Sequence, residues 1–239
     1  MNINDIRFSA EKGGYYLDTL TVSSYITETN DKALNIKSDL ISGTVLGRYS
    51  FKDIVPALRE TGNLFLPALV KAPKKKVISE NNFKIDISIN DLEQFAYILD
   101  LPFVFSDDTR IQGNYNYESN KFNLEILSPK CLINKMQFED CLIKLENRDD
   151  KEALLLVNVT QLKNDKTNKI AASFDISGNN IHSKLKWNDR FDQYNGSFDI
   201  LTKFTEQTGE FPLKTEINFS ESKVTFKDFT WNVPVTVLL

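Results

Sequence analysis

Phe83-Lys-Ile-Asp-Ile-Ser-Ile-Asn90 alternates without a break. In an extended chain Phe83, Ile85, Ile87 and Ile89 share one side, and Lys84, Asp86, Ser88 and Asn90 share the other, which is the signature of a strand with one face in water. The same reading fits Phe122-Asn-Leu-Glu-Ile126, Phe174-Asp-Ile176, Ile181-His-Ser-Lys-Leu-Lys-Trp187 and Phe198-Asp-Ile200. It continues through Leu213-Lys-Thr-Glu-Ile-Asn-Phe219, Val224-Thr-Phe226 and Trp231 to Val237. Roughly 15 such runs at even spacing predict an all-β architecture. The segments between them are short and polar: Glu118 to Lys121, Asn147 to Asp150, Asn164-Asp165, Gly178 to Asn180, Asn188 to Arg190 and Glu221-Ser222. Connections this short join sequential antiparallel strands, so a long meander is expected rather than a Greek key.

Two stretches break the alternation. Phe51 to Glu60 places apolar residues at 51, 54, 55 and 58, a helical period, with Gly62 beyond it. Asn90 to Leu99 opens on a capping residue, groups Leu92, Phe95, Ala96 and Leu99, and is fenced by Pro102. Two short helices are therefore predicted. Lys71-Ala-Pro-Lys-Lys-Lys76 reads as a basic linker and divides the chain into a β-rich unit 1–76, ending in a helical segment, and a second unit 77–239 with one short helix and a long meander. Ile41-Ser-Gly-Thr-Val-Leu-Gly-Arg-Tyr49 and Ile111-Gln-Gly-Asn-Tyr115 place glycine and tyrosine alike, a weak internal repeat.

The chain has 239 residues, 41% of them hydrophobic, and a formal charge of −4. That is enough to bury a core without disulfides or metals, and the mild acidity argues against nucleic acid as a partner. No apolar run approaches the roughly 20 residues of a membrane-spanning helix. The longest is Leu64 to Val70. Residues 1–7 lack the pattern of a signal peptide. Trp231 to Leu239 alternates to the last residue without a turn, so the chain is expected to be a mid-chain fragment of a longer protein.

A sheet of this width poses a packing problem. At about 4.8 Å per strand, 15 strands extend over roughly 70 Å, and two short helices do not cover the apolar face. It either folds over as a sandwich about 10 Å thick or stays apart as an elongated apolar groove. Both solutions write the same alternation.

The series Phe83 to Leu92, Ile111 to Tyr115, Phe122 to Pro129 and Met136 to Asp140, with the closing Phe226-Lys-Asp-Phe-Thr-Trp231, resembles the repeat region of TamB proteins. These belong to the AsmA-like group of Gram-negative envelope proteins, and the richness in Asn, Lys and Ile is similar to a Bacteroidetes member. The family's N-terminal anchor and C-terminal conserved domain are not in this sequence. The resemblance implies a curved, taco-like antiparallel sheet whose groove conducts phospholipid between inner and outer membranes. It implies a periplasmic location, an inner-membrane anchor in the full-length protein, and an outer-membrane barrel protein as a possible partner. Contact with a membrane would then run only through segments missing from this chain. The groove would be lined by Phe83, Ile85, Ile87, Ile89, Tyr115, Tyr117, Phe122, Leu124, Ile126, Phe174, Ile176, Leu185, Trp187, Phe198, Ile200, Ile217 and Phe219. Without the resemblance, the same residues read as ordinary sandwich core.

Little in the sequence points to catalysis, and no enzyme, cofactor or metal is expected. His182, the only histidine, falls mid-strand on the polar side, with no partner of base or ligand geometry apparent. The paired carboxylates Asp107-Asp108, Glu139-Asp140 and Asp149-Asp150 fall beside turns, where Asp is favoured for backbone reasons. Cys131 and Cys141 flank a turn at Asn134-Lys135 that sets Cys131 opposite Phe138, so free buried thiols are expected rather than a disulfide. The leading expectation is a non-enzymatic lipid-conducting envelope fragment. The alternatives are a scaffold that assists outer-membrane protein assembly by strand pairing, at Ile3 to Ala10 or Val233 to Leu239, and a carbohydrate-binding or adhesive β-sandwich.

Overall fold

The computed structural model describes all residues except 1, 11–12, 75–79, 93–95, 98–100, 102, 135, 164–165, 192, 209–211, 234–236 and 239. One antiparallel sheet of 16 strands dominates it. In chain order these are β1 (Asn2–Ala10), β2 (Gly13–Ile26), β3 (Lys32–Ser38), β4 (Ile41–Arg48), β5 (Asn82–Ile89), β6 (Phe103–Phe105), β7 (Thr109–Asn116) and β8 (Lys121–Ile133). They continue as β9 (Met136–Asp149), β10 (Glu152–Lys163), β11 (Lys166–Ser177), β12 (Asn180–Asp189), β13 (Tyr194–Glu206), β14 (Leu213–Phe226), β15 (Phe229–Val233) and β16 (Val237–Leu238). The sheet is a curved meander that does not close on itself: neighbours in sequence are neighbours in space from β1 to β15, with β6 set aside against β8 and β16 against β14. β4 and β5 pair over eight residues although 33 residues separate them, so the sheet runs unbroken through the 76/77 division.

The hairpin turns follow from side-chain chemistry. Among the described residues, seven of the nine non-glycine positions with positive φ are Asn or Asp, including Asn120, Asn134 and Asn179 at the tips joining β7–β8, β8–β9 and β11–β12. Short polar side chains tolerate this left-handed backbone by bonding locally. One expected turn is not a turn. Glu221-Ser222 sits inside β14 as a bulge, with Glu221 at φ 29° and the register to β13 shifted there. The bulge flips the phase of the strand, so Phe219 and Val224 point the same way although they differ in parity.

The single α-helix among the described residues is α1 (Phe51–Phe65), five residues longer than expected. Most of the second expected helix, Asn90–Leu99, lies outside the described residues; within it Ala96 and Tyr97 are helical, and the Ala96 N–H donates to the Leu92 carbonyl. Ala57, Thr61 and Phe65 form the buried face of α1, against Phe83, Tyr115, Tyr117 and Phe122 of the sheet. At 1.5 Å per residue the helix is about 22 Å long. Contacts at its two ends place it across the strand ends, from Asn81 before β5, whose Oδ1 accepts from the Ser50 N–H, toward the β11–β12 turn. There Asn179 N–H donates to Phe65 O, and Ala68 N–H donates to Asn179 Oδ1 at 2.7 Å.

Candidate functional site

The register of the sheet assembles the apolar positions into continuous rows that run across it. One row is Val22, Ile36, Gly43, Ile87, Ile111, Ile126, Ile143, Val157, Ala172, Leu185 and Phe198, each directly opposite the next on eleven strands. The row beside it is Leu34, Val45, Ile85, Gly113, Leu124, Leu145, Leu155, Phe174, Ser183, Ile200 and Phe219. Neither row contains a charged residue, and Ser183 is the one polar side chain. Ten strand gaps make each row about 48 Å long.

All seventeen residues named from the sequence occupy this inner face. Phe83, Tyr115 and Phe122 form a third row at the α1 end. Tyr117, just past β7, packs with them. Ile176, Ile181, Thr202 and Ile217 continue along that flank. Ile89 pairs with Ile41 and Thr109 at the opposite flank. Trp187 lies over Gly196, where an added Cβ would collide with the indole ring, and its ring stacks toward Phe198 at 5.3 Å between centroids. Phe198 in turn meets Phe219 edge-on at 6.2 Å. Sequence reasoning missed Ile111, Ile143, Leu145, Leu155 and Val157. The last four lie on strands with the consecutive runs Leu142-Ile143 and Leu154-Leu-Leu-Val157, which hide the alternation.

Burial separates the edges of this face from its middle. Tyr115, Cys131, Phe138, Cys141 and Val159 are buried at the two flanks, whereas the described side chains of the two central rows from β5 to β14 are only half-buried. A second sheet 10 Å away would bury them fully. The centre of the face is a trough with an apolar floor and, among the described residues, no protein layer above it.

Polar hydrogen bonds fasten α1 along one flank. Thr61 Oγ1 and the Tyr115 hydroxyl lie 2.7 Å apart, and the Tyr117 hydroxyl donates to Glu60 at 2.8 Å. Burial, reinforced by Glu60, pushes the Tyr117 phenol up to about 12. Phe51, Val55 and Leu58, spaced as one helical stripe, remain exposed. Beyond α1, Lys71 reaches Glu206 at 2.6 Å. The linker lysines 75 and 76 lie outside the described residues.

The outer face is polar and internally paired. Asp86 accepts hydrogen bonds from Arg110 and Gln112, and the Arg110 guanidinium holds its carboxyl below the usual carboxylate range. Lys144 pairs with Glu125, and Arg148 with Asp175. His182, expected without a partner, has one: its Nε2 is 2.7 Å from Asp199 Oδ1, a diagonal contact between β12 and β13. The Asp108 and Asp140 backbones have positive φ, and Asp149 accepts from the Lys151 N–H in a turn. These acidic residues serve local geometry. No group of three or more His, Cys, Asp or Glu among the described residues is placed to hold a metal ion.

The thiols are free and buried, as expected, but they lie closer together than the register suggests. Cys131 does stand opposite Phe138, yet its Sγ lies 2.7 Å from that of Cys141. Comparison with protein-family models, with curated proteins and with solved structures found no match to this chain.

Proposed function

We propose that the trough binds the acyl chains of phospholipid and that the chain is a segment of a periplasmic lipid conduit of the TamB and AsmA-like kind. One observation carries the reading: two charge-free rows cross eleven strands, and their side chains are half-buried with no layer of described residues over them. Each acyl CH₂ moved from water onto such a floor contributes about 0.8 kcal/mol. Half of a bilayer's hydrocarbon core is about 15 Å thick, so a row of about 48 Å is long enough for chains to lie in series or to slide. The polar outer face, with its paired charges, stays in water, and headgroups remain at the open rim. The exposed stripe Phe51, Val55 and Leu58 of α1 adds apolar surface. The chemistry asked of the protein is passive, solvation of tails without a covalent step.

The test is mass spectrometry of the purified chain, under native conditions and after solvent extraction. Stoichiometric phospholipid is expected, and it should be lost in Ile87→Asp or Leu124→Asp while the outer-face variant Ser88→Asp retains it. A lipid-free chain that takes up none from phospholipid vesicles would overturn the proposal. The strand-pairing alternative draws support from β1, which ends the strand order with a partner, β2, on one side only. Capture of an added strand peptide in place of lipid would favour it.

A further inference from the structure

Where β8 and β9 pass the edge of the trough, the alternation of both strands breaks at the same level. Ser128 and Cys131 are buried with Pro129 and Lys130 exposed between them; Phe138 and Cys141 are buried with Glu139 and Asp140 between them. Asp140 has φ 50°, and the register of β9 against β10 slips by one residue there. A bulge bends its strand, so residues three apart turn toward the same interior. The result is a corner in which two cysteines that are not cross-strand partners meet: the sulfurs are 2.7 Å apart, with 3% and 2% of the residues exposed, inside a cluster with Phe138 and Val159.

We propose that Cys131 and Cys141 are a disulfide-forming pair, and that the oxidised protein carries a bond between them that staples β8 to β9 at this corner. The inference does not depend on what the trough binds. The oxidant is a disulfide, either a small molecule such as oxidised glutathione or a thiol–disulfide oxidoreductase. The Cys131 thiol loses its proton and attacks the oxidant's S–S bond, forming a mixed disulfide and releasing one thiol. The Cys141 thiolate then attacks the Cys131 sulfur and expels the second thiol. Two protein thiols become one disulfide, and their two protons and the electron pair leave in the two thiols released from the oxidant.

Two features order the steps. Cys131 borders a cavity of about 410 Å³ lined by Phe105, Ser106, Lys130 and Gln137, through which an oxidant can approach. Cys141 has no place in that lining. Burial raises both thiols, but the contact with Cys141 offsets part of this at Cys131, while the contact with Cys131 raises Cys141 further. Cys131 is therefore the entering nucleophile, and exchange should quicken as pH rises.

Exchange with a graded series of reduced-to-oxidised glutathione ratios tests this, in native buffer and in strong urea, approached from both the reduced and the oxidised chain. Samples are quenched in acid, unfolded, alkylated with maleimide and weighed. The expected oxidised product takes up no maleimide, is about 2 Da lighter than the reduced chain, and joins the tryptic peptides that begin at Cys131 and Met136. The squared reduced-glutathione concentration over the oxidised one at half-oxidation should be about thirtyfold or more higher in native buffer than in urea, because a bond that fits the fold stabilises it by the same factor. A smaller ratio, a predominant glutathione adduct, or a disulfide between chains would overturn the proposal. Cys131→Ser should give no product about 2 Da lighter under any condition, its Cys141 either taking up maleimide after unfolding or carrying a glutathione adduct. The decisive comparison uses the unmodified chain, so it holds even if this variant folds poorly.

Discussion

Tyr115 and Leu124 stand on adjacent strands of the same apolar face, in the same alternating pattern, yet Tyr115 retains 4% of its exposure and Leu124 is only half-buried. The difference comes from what lies above them. Over Tyr115 the Ala57 face of α1 closes down, with Thr61 bonded to the phenol. Over Leu124 and the rows that run on through Leu155 and Phe174 the described residues form no second layer. A strand records that one of its faces is apolar; it does not record what covers that face. Core and trough are therefore written alike, and only the position of a helix or bend tells them apart.

The sharpest way to break the comparison is to spoil the covered side. Ala57 is fully buried among Phe83, Tyr115 and Phe122. Ala57→Asp puts a carboxylate there with no cation among those neighbours, at an expected cost of about 3 kcal/mol or more. Urea unfolding followed by circular dichroism checks this. A midpoint equal to that of the parent chain would mean that α1 does not close the flank.

Most of the sheet was legible because its connections are short. Once Phe83 to Asn90 is read as a strand, two-residue turns rich in Asn and Asp force the next strand alongside, and the facing of every residue follows. Legibility failed where a local irregularity changed the phase. Glu221-Ser222 looks like a turn because it separates two alternating runs, but a bulge does the same and keeps one strand. Cys131 and Cys141 are out of register on paper, and the bend that joins them is carried by an exposed Pro129-Lys130 and a left-handed Asp140 that have no strong signature. The helix was legible as a period of 3.6. Its place across the strand ends was not, since that depends on Asn179, 111 residues away from the backbone it binds at Ala68.

A matched pair of truncations sharpens the comparison at intermediate cost. Leu17 is 3% exposed in the cluster with Tyr15 and Leu40, and Leu124 lies on the trough floor. Leu17→Ala should cost about 3 kcal/mol, the usual result of opening a cavity in packed surroundings. Leu124→Ala should cost only about 1 kcal/mol, since part of its side chain already meets solvent and no cavity forms. Equal losses in urea unfolding would mean that a covering layer exists over Leu124, and the trough would then be a closed sandwich.

The smallest expected effect lies at the boundary between the two regions. Tyr117 sits at the lip of α1, and its phenol titrates at about 12 because burial and the bond to Glu60 both disfavour the phenolate. In the unfolded chain it titrates near 10. Between these values the unfolded state has released a proton that the folded state retains, so stability falls as pH rises through this window. The contribution is fully present below pH 10 and lost by about pH 12. Tyr117→Phe removes the titrating group, and its stability should fall less steeply between pH 10 and pH 12 than that of the parent. The parent's extra slope, measured by urea unfolding at a series of pH values, should vanish in Tyr117→Phe and survive in a variant of the open floor such as Leu124→Ala. A slope unchanged in Tyr117→Phe would place the phenol in water and detach the lip of the helix from the sheet.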